Sequence, residues 1–357
     1  MEPFVRQLLD PVVYERIDKA IHFREGDRVP IWDYIDNKGV LDHFSSPSDS
    51  LEVQQIKAYN GLEIDLCRGF GMAYGLEDEN LTTRTEGQPC ISGLTSWHIP
   101  PMRTLDEVKA FEAPPLPEEW LGEGVVKEIK RLQRAFAPKT MFVAGAGVGF
   151  HASYGMMGLQ LFCRAIYEAP EALDRIFAYH HEIGCRMAQA AGEANLGPIF
   201  FIGDDIAYKT STLFSPQYLR QTCIPMLERM CDICHQYGLI VVFHSDGNVM
   251  GVLDDLIAAG IDGLNPIEPL AGMDIGLLKR RYGERLILVG NVDCSQVLPL
   301  GSAQDVIEAT RACIRAASPG GGHLIGSSSE LTPSTPLANA LAFYQTCRMD
   351  GRYPIAI

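Results

Sequence analysis

The stretch LIVVFHSDG, residues 239–247, decides how this chain folds. It runs apolar from Leu239 to Phe243 without alternating, then breaks onto His244, Ser245, Asp246 and Gly247. A strand with one face in water alternates in polarity, whereas a strand apolar on both faces belongs to a parallel sheet covered by helices. The residues before it, SPQYLRQTCIPMLERMCDICHQYG (215–238), read as helix. Ser215 is the N-cap, Pro216 the first helical residue, and Gly238 the closing C-cap glycine. A helix delivering the chain to a doubly buried strand is the grammar of βαβ units.

Working outward, seven more runs of this kind appear: VPIWDY (29–34), LEIDLCRG (62–69), TMFVAGAG (140–147), PIFFIGDD (198–205), DGLNPIE (262–268), RLILVGNVD (285–293) and GHLIGSSSE (322–330). Amphipathic stretches separate them, such as SAQDVIEATRACIRAAS with Ser302 as N-cap. Eight units, with no Gly-x-Gly-x-x-Gly turn after the first strand, favour an α/β fold closed as a (β/α)8 TIM barrel over a doubly wound open sheet. The expectation is one domain spanning 1–357. A helix over about 11–25 would pack against or plug one end, and residues 71–139, polar and then proline-rich, would form a small insertion after strand two.

Composition narrows the function. With 46% apolar and 21% charged residues the chain is that of a soluble globular protein, and a net charge of −15 excludes a basic nucleic-acid surface. No apolar run approaches the roughly 18 residues of a membrane span. The acid-bearing start, without a small-residue cleavage site, points to a cytoplasmic protein. Ten scattered cysteines fit reduced, buried small hydrophobes. Cys231, Cys234 and His235 match the haem-attachment spacing, but they lie within the helical stretch and are expected to be structural.

In a barrel the strand ends carry the chemistry. Here they hold Asp33, Asp65, Asp204, Asp205, His244, Asp246, Glu268, Asn291, Asp293, Ser329 and Glu330. Any single one reads plainly as a helix N-cap; their gathering at one face does not. Residues two apart on a strand share a side, so His244 and Asp246 can point together into the mouth. Glu268, with Ser329 or Glu330, would complete a tetrahedral set suited to zinc. The alternative has His244 hydrogen-bonding substrate and Asp246 capping a helix. The run Gly145–Gly149 looks like a phosphate cradle whose helix is displaced, or a tight loop that lets substrate approach the backbone. Trp32, Tyr34, Phe70, Tyr74, Phe150, Tyr154 and Tyr208 follow strand ends and would wall a pocket or pack in the core.

RVPIWDYID, FIGDDIAYKTSTLFSP, VVFHSDGNV, GIDGLNPIEPLAGMD, LVGNVDCSQVLPLGS and PGGGHLIGSSSELTP, in that order, resemble the uroporphyrinogen decarboxylase superfamily from about residue 20 onward. The superfamily divides into metal-free porphyrinogen decarboxylases and zinc-dependent methyltransferases serving a corrinoid protein or a thiol. The decarboxylases carry Arg-Gln-Ala-Gly-Arg-Tyr after strand one, where arginines hold substrate carboxylates. This chain has Tyr34-Ile35-Asp36-Asn37-Lys38-Gly39 there, although Asp65 falls near the aspartate that contacts pyrrole nitrogens. The methyltransferase branch uses His-x-Cys on strand five and Cys on strand eight. The matching residues are His244, Asp246 and Ser329, with Glu330 beside it and Glu268 as the acid of strand six.

The resemblance thus implies a methyltransferase or demethylase. It would move a methyl group from oxygen or nitrogen of a small molecule, such as a methoxylated aromatic, to a corrinoid partner protein. Zinc would be held by His244, Asp246, Glu268, Ser329 and Glu330, with Asp65, Asp204, Asp205 and Tyr208 as acid–base and orienting groups. Oxygen ligands in place of thiolates suit polarising an ether or amine. A homodimer fits the superfamily. The alternatives are a metal-free carboxy-lyase using Asp65 and His244, and a tetrapyrrole-binding barrel without turnover.

Overall fold

The computed structural model describes residues 2–68, 84–86 and 97–357. Its strands, in chain order, are β1 (Leu66–Arg68), β2 (Arg84–Glu86), β3 (Trp97–Ile99), β4 (Met141–Ala146), β5 (Ile199–Gly203), β6 (Ile240–His244), β7 (Gly263–Asn265), β8 (Ile287–Val289) and β9 (His323–Leu324). Seven of them form one curled parallel sheet in the order β1-β4-β5-β6-β7-β8-β9, each beside its neighbour in sequence. Between them lie the helices that the amphipathic stretches predict, including Pro170–Glu193, Cys223–Gln236 and Ala303–Ala317. Ser215 caps with its hydroxyl on the Tyr218 N–H, and Ser302 forms a capping box with Asp305.

Side-chain alternation along the strands builds two apolar layers. Leu66, Met141, Val143, Ile199, Phe201, Val242, Ile287 and Val289 share the inner layer with Ile17 and Ile21 of the helix Pro11–Ile21. The intervening residues Phe142, Ala144, Phe200, Ile202, Val241, Phe243 and Leu288 face the helices. The N-terminal segment sits against the amino ends of the strands. Phe4 N–H bonds to the Asn195 carbonyl and Asp10 N–H to the Pro138 carbonyl, both just ahead of strands β5 and β4. Among the described residues no helix is long and apolar enough to cross a membrane.

Two expectations need adjusting. The first expected strand, 29–34, makes isolated parallel bridges, Ile31 to Ile325 and Trp32 to Leu66, rather than a ladder. Pro30 has no N–H to give, and Asp33 takes the N–H groups of Tyr34 and Ser327 on its side chain, so pairing stops after two residues. In the insertion, β2 and β3 form an antiparallel pair with Arg84 opposite Ile99; residues 71–83 and 87–96 lie outside the described residues. Cys231 and Cys234 are fully buried in their helix, and His235 pairs with Asp262 at 2.9 Å, so the haem-like string packs the fold.

One buried group makes a clear contribution to acid sensitivity. His323, at the start of β9, is enclosed between Ser318 Oγ (2.8 Å) and the Gly290 carbonyl (2.8 Å), and burial lowers its pKa to about 4. The unfolded chain binds that proton near pH 6.5, the folded chain only near 4. Stability from this residue is therefore complete above pH 6.5 and is lost as pH falls towards 4, by about 3 kcal/mol. Urea titrations at pH 7, 6, 5 and 4.5 should show a loss to which His180, His181 and His244, likewise lowered in pKa by burial, also contribute, and His323→Gln should make that loss shallower. An unchanged slope in the variant would assign the acid sensitivity elsewhere.

Candidate active site

The inner face of the sheet turns polar at its carboxyl end. Arg68, Asp205, His244 and Asn265 continue the alternation of Leu66, Phe201, Val242 and Gly263, so all four stand directly above the inner apolar layer. His244 is buried, its ring 5.5 Å from that of Phe201, which in turn stands 5.9 Å from Trp32.

Asp205, His244 and Asp246 converge, each offering a ligand atom within 4.8 Å of the others. His244 Nε2 lies 3.7 Å from Asp205 Oδ1 and 3.7 Å from Asp246 Oδ1. Its other nitrogen, Nδ1, meets Asn265 Oδ1 at 2.6 Å. Asp246 presents a buried Oδ1 with no hydrogen-bond donor. Asp205 accepts the Asp246 N–H at 2.9 Å, and His151 Nδ1 stands 3.4 Å from its other oxygen. His151 is half exposed and stacks on Tyr154, whose hydroxyl donates to the Asp205 carbonyl.

Charge explains the protonation states. Burial, with the cationic Arg68 alongside, lowers the His244 pKa to about 4, so the imidazole is neutral at pH 7. Burial and the negative charge of Asp205, then of Glu330 and Glu268, push Asp246 up to about 8, against the pull of Arg68. For Asp205 burial also opposes ionisation, but His244, His151, the Asp246 N–H and Arg68 outweigh it and the pKa falls. Arg68 Nη1 is 3.2 Å from His244 Nδ1, Nη2 donates to the Ser329 carbonyl at 2.9 Å, and Glu330 stands 3.7 Å away.

The glycine run before His151 holds a carboxylate of the chain itself. Gly149 N–H donates to Asp204 Oδ2 at 3.0 Å and His151 N–H to the other oxygen. Gly149 adopts φ +105, and a Cβ there would fall 2.7 Å from the His181 nitrogen. The loops after β4 and β5 are thereby tied together. Gly247, at φ +86, lets the loop after β6 lie against Tyr208, where a Cβ would come within 2.6 Å of the Tyr208 nitrogen.

The expected site residues divide. His244 and Asp246 come together as expected, but the third donor is Asp205, which the sequence reading made an acid–base group. Glu268 is spent on the Gly247 N–H at 2.9 Å, and the Ser329 hydroxyl donates to Glu330 at 2.7 Å; none of these three joins the cluster. Asp204 has both oxygens engaged by backbone amides, and Tyr208 is 62% exposed. Asp65 precedes β1 and lies at the opposite end of the sheet from His244, paired there with Arg16 and Arg28. Trp32, Tyr34, Phe150 and Tyr154 are buried, while Phe70 and Tyr74 lie outside the described residues. Arg68, Asn265 and His151 escaped the sequence reading, although Arg68 closes an apolar strand as His244 does.

The family model described as Uroporphyrinogen decarboxylase (URO-D) matches residues 93–349. No curated protein matches the chain. Among solved structures, a methyltransferase from Methanosarcina mazei is similar at a TM-score of 0.71 and 19% identity, covering 94% of this chain and 98% of its own. A β-mannanase from the blue mussel Mytilus edulis is similar at a TM-score of 0.46 and 10% identity, covering 93% and 94%. At 19% identity the likeness to the methyltransferase is one of fold.

Proposed function

The chain belongs to the uroporphyrinogen decarboxylase family, and from that premise we propose that it is a methyltransferase of the corrinoid-linked kind. In this reading residues 30–33 complete a closed, single-domain (β/α)8 barrel with its mouth at Arg68, Asp205, His244 and Asp246. The observation that carries the function is the convergence of those last three donors. The methyl donor is a small O- or N-methylated molecule, such as a methoxylated aromatic. The acceptor is the corrinoid of a separate carrier protein docked at the mouth.

The donor set fits zinc. One neutral imidazole nitrogen and two carboxylates form a three-ligand site with room for a fourth group, and the buried Asp246 Oδ1 lacks the donor a cation would replace. Asp205, His244 and Asp246 would hold the ion. When bound, zinc supplies Lewis-acid polarisation of the leaving oxygen or nitrogen. The chain's own groups do the rest. Phe201 and Trp32 keep the floor of the site dry. His151, half exposed beside Asp205, is placed to carry a proton to the departing atom. Arg68 offsets the surplus negative charge of Glu330 and the acid pair.

The test is elemental mass spectrometry on purified protein, together with methyl transfer to free cob(I)alamin from a panel of methoxylated aromatics and methylamines. About one zinc per chain, lost in His244→Ala, with transfer from at least one donor, is expected. No zinc in either protein after supplementation would sink the metal site. A second reading, a metal-free carboxy-lyase, has Arg68 in its favour, since a buried guanidinium beside His244 suits a substrate carboxylate. Release of carbon dioxide without any need for cobalamin would select it.

A further inference from the structure

The two nitrogens of His244 have different neighbours, and only one arrangement of its single proton leaves a lone pair towards Asp205 and Asp246. Nδ1 is contested. Asn265 Oδ1 lies 2.6 Å from it and can only accept; Arg68 Nη1 lies 3.2 Å from it and can only donate. If Arg68 prevailed, Nδ1 would be bare, the proton would sit on Nε2, and the imidazole would face the two carboxylates as a hydrogen-bond donor. If Asn265 prevails, Nδ1 carries the proton and Nε2 is bare. The orientation of the Asn265 amide is held from behind, because its Nδ2 points to the Val289 carbonyl at 3.4 Å, which keeps Oδ1 on the histidine side. Its backbone carbonyl also accepts the Ser245 N–H at 3.1 Å, fixing β7 against the loop that follows His244. Arg68 Nη1 reaches the same Oδ1 at 3.4 Å, so the guanidinium has an acceptor there without using Nδ1.

We propose that Asn265 is the positioning residue that selects the Nδ1–H tautomer of His244, and so turns a buried histidine into a ligand for a divalent metal. The inference rests on the metal reading above but concerns the protein before any metal is added. An orienting partner on the far nitrogen fixes ring and tautomer, and its loss ordinarily lowers metal affinity about 10–100-fold.

Two measurements separate this inference from the function it serves. Two-bond proton–nitrogen correlation spectra of the metal-free, 15N-labelled protein report the tautomer of His244, assigned by difference with His244→Ala. The wild type should show Nδ1–H and Asn265→Ala should lose that preference. Zinc affinity by chelator competition should fall about 10–100-fold in Asn265→Ala and stay within a few-fold of wild type in Asn265→Asp, which keeps the acceptor. An Nε2–H tautomer in the wild type overturns the assignment whether or not zinc binds. So does an unchanged affinity in Asn265→Ala. Absence of zinc binding in the wild type, with the Nδ1–H tautomer present, instead removes the metal reading and leaves Asn265 as the group that orients His244.

Discussion

Asp65→Ala should lower the unfolding free energy by about 3–5 kcal/mol, the range for removing one partner of a buried ion pair. The carboxylate is 1% exposed and accepts from Arg16 at 2.5 Å, from Arg28 at 2.7 and 3.1 Å, and from the Ile31 N–H at 2.8 Å. Both arginines are more than nine-tenths buried. Without Asp65, Arg28 keeps backbone carbonyls and Arg16 keeps Asp27, whose side chain is half in water. Two guanidinium groups would then stay buried with insufficient counter-charge. Urea unfolding at pH 7 measures the change as a fall in midpoint at constant slope. A loss under about 1 kcal/mol would show that the network relaxes. Because Asp65 sits at the amino ends of the strands, a variant that remains folded in the cold should turn over normally, whereas a catalytic Asp65 would abolish turnover.

The second large effect is kinetic. His244→Ala should reduce methyl transfer on the order of 1,000-fold, about 4 kcal/mol in the barrier, because it removes the one neutral donor between two carboxylates and any metal held there. Glu268→Gln and Ser329→Ala should cost no more than about fivefold, roughly 1 kcal/mol, since Glu268 serves the Gly247 N–H and Ser329 serves Glu330. Equal losses in all three variants would restore the wider ligand set that the spacing suggests. Circular dichroism on each variant separates a lost reaction from a lost fold.

Much of this could be read from residue order. Doubly apolar strands followed by His-Ser-Asp, and Asp-Asp after PIFFIG, placed Asp205, His244 and Asp246 at one end of a parallel sheet because strand direction is fixed by the helices between. Asp65 stands at the amino end of the sheet for a physical reason: it lies inside an apolar run whose strand begins only at Leu66, and composition does not tell an entering residue from a leaving one. Glu268 is directed to Gly247 by the backbone. Ile267 adopts φ +61, a left-handed conformation that a β-branched residue rarely takes, and the Glu268 carboxylate that follows ends on Gly247. Arg68 was hidden because the polar, Thr-rich sequence after it breaks the strand-and-helix pattern, and Asn265 because an amide within a short strand looks like any polar strand residue until its histidine partner, 21 positions earlier, is placed beside it.

The buried arginine–aspartate lock at one end of the sheet and the acid–imidazole cluster at the other share no side chain. That separation bears on evolvability. Exchanging the donors at the mouth, thiolate for carboxylate or carboxylate for amide, leaves untouched the ion pairs that hold the first strands to the N-terminal helix. New ligand sets can therefore be tried on this scaffold at little risk to folding, and directed evolution aimed at the mouth should recover far more folded variants than the same mutational load spread over Arg16, Arg28 and Asp65.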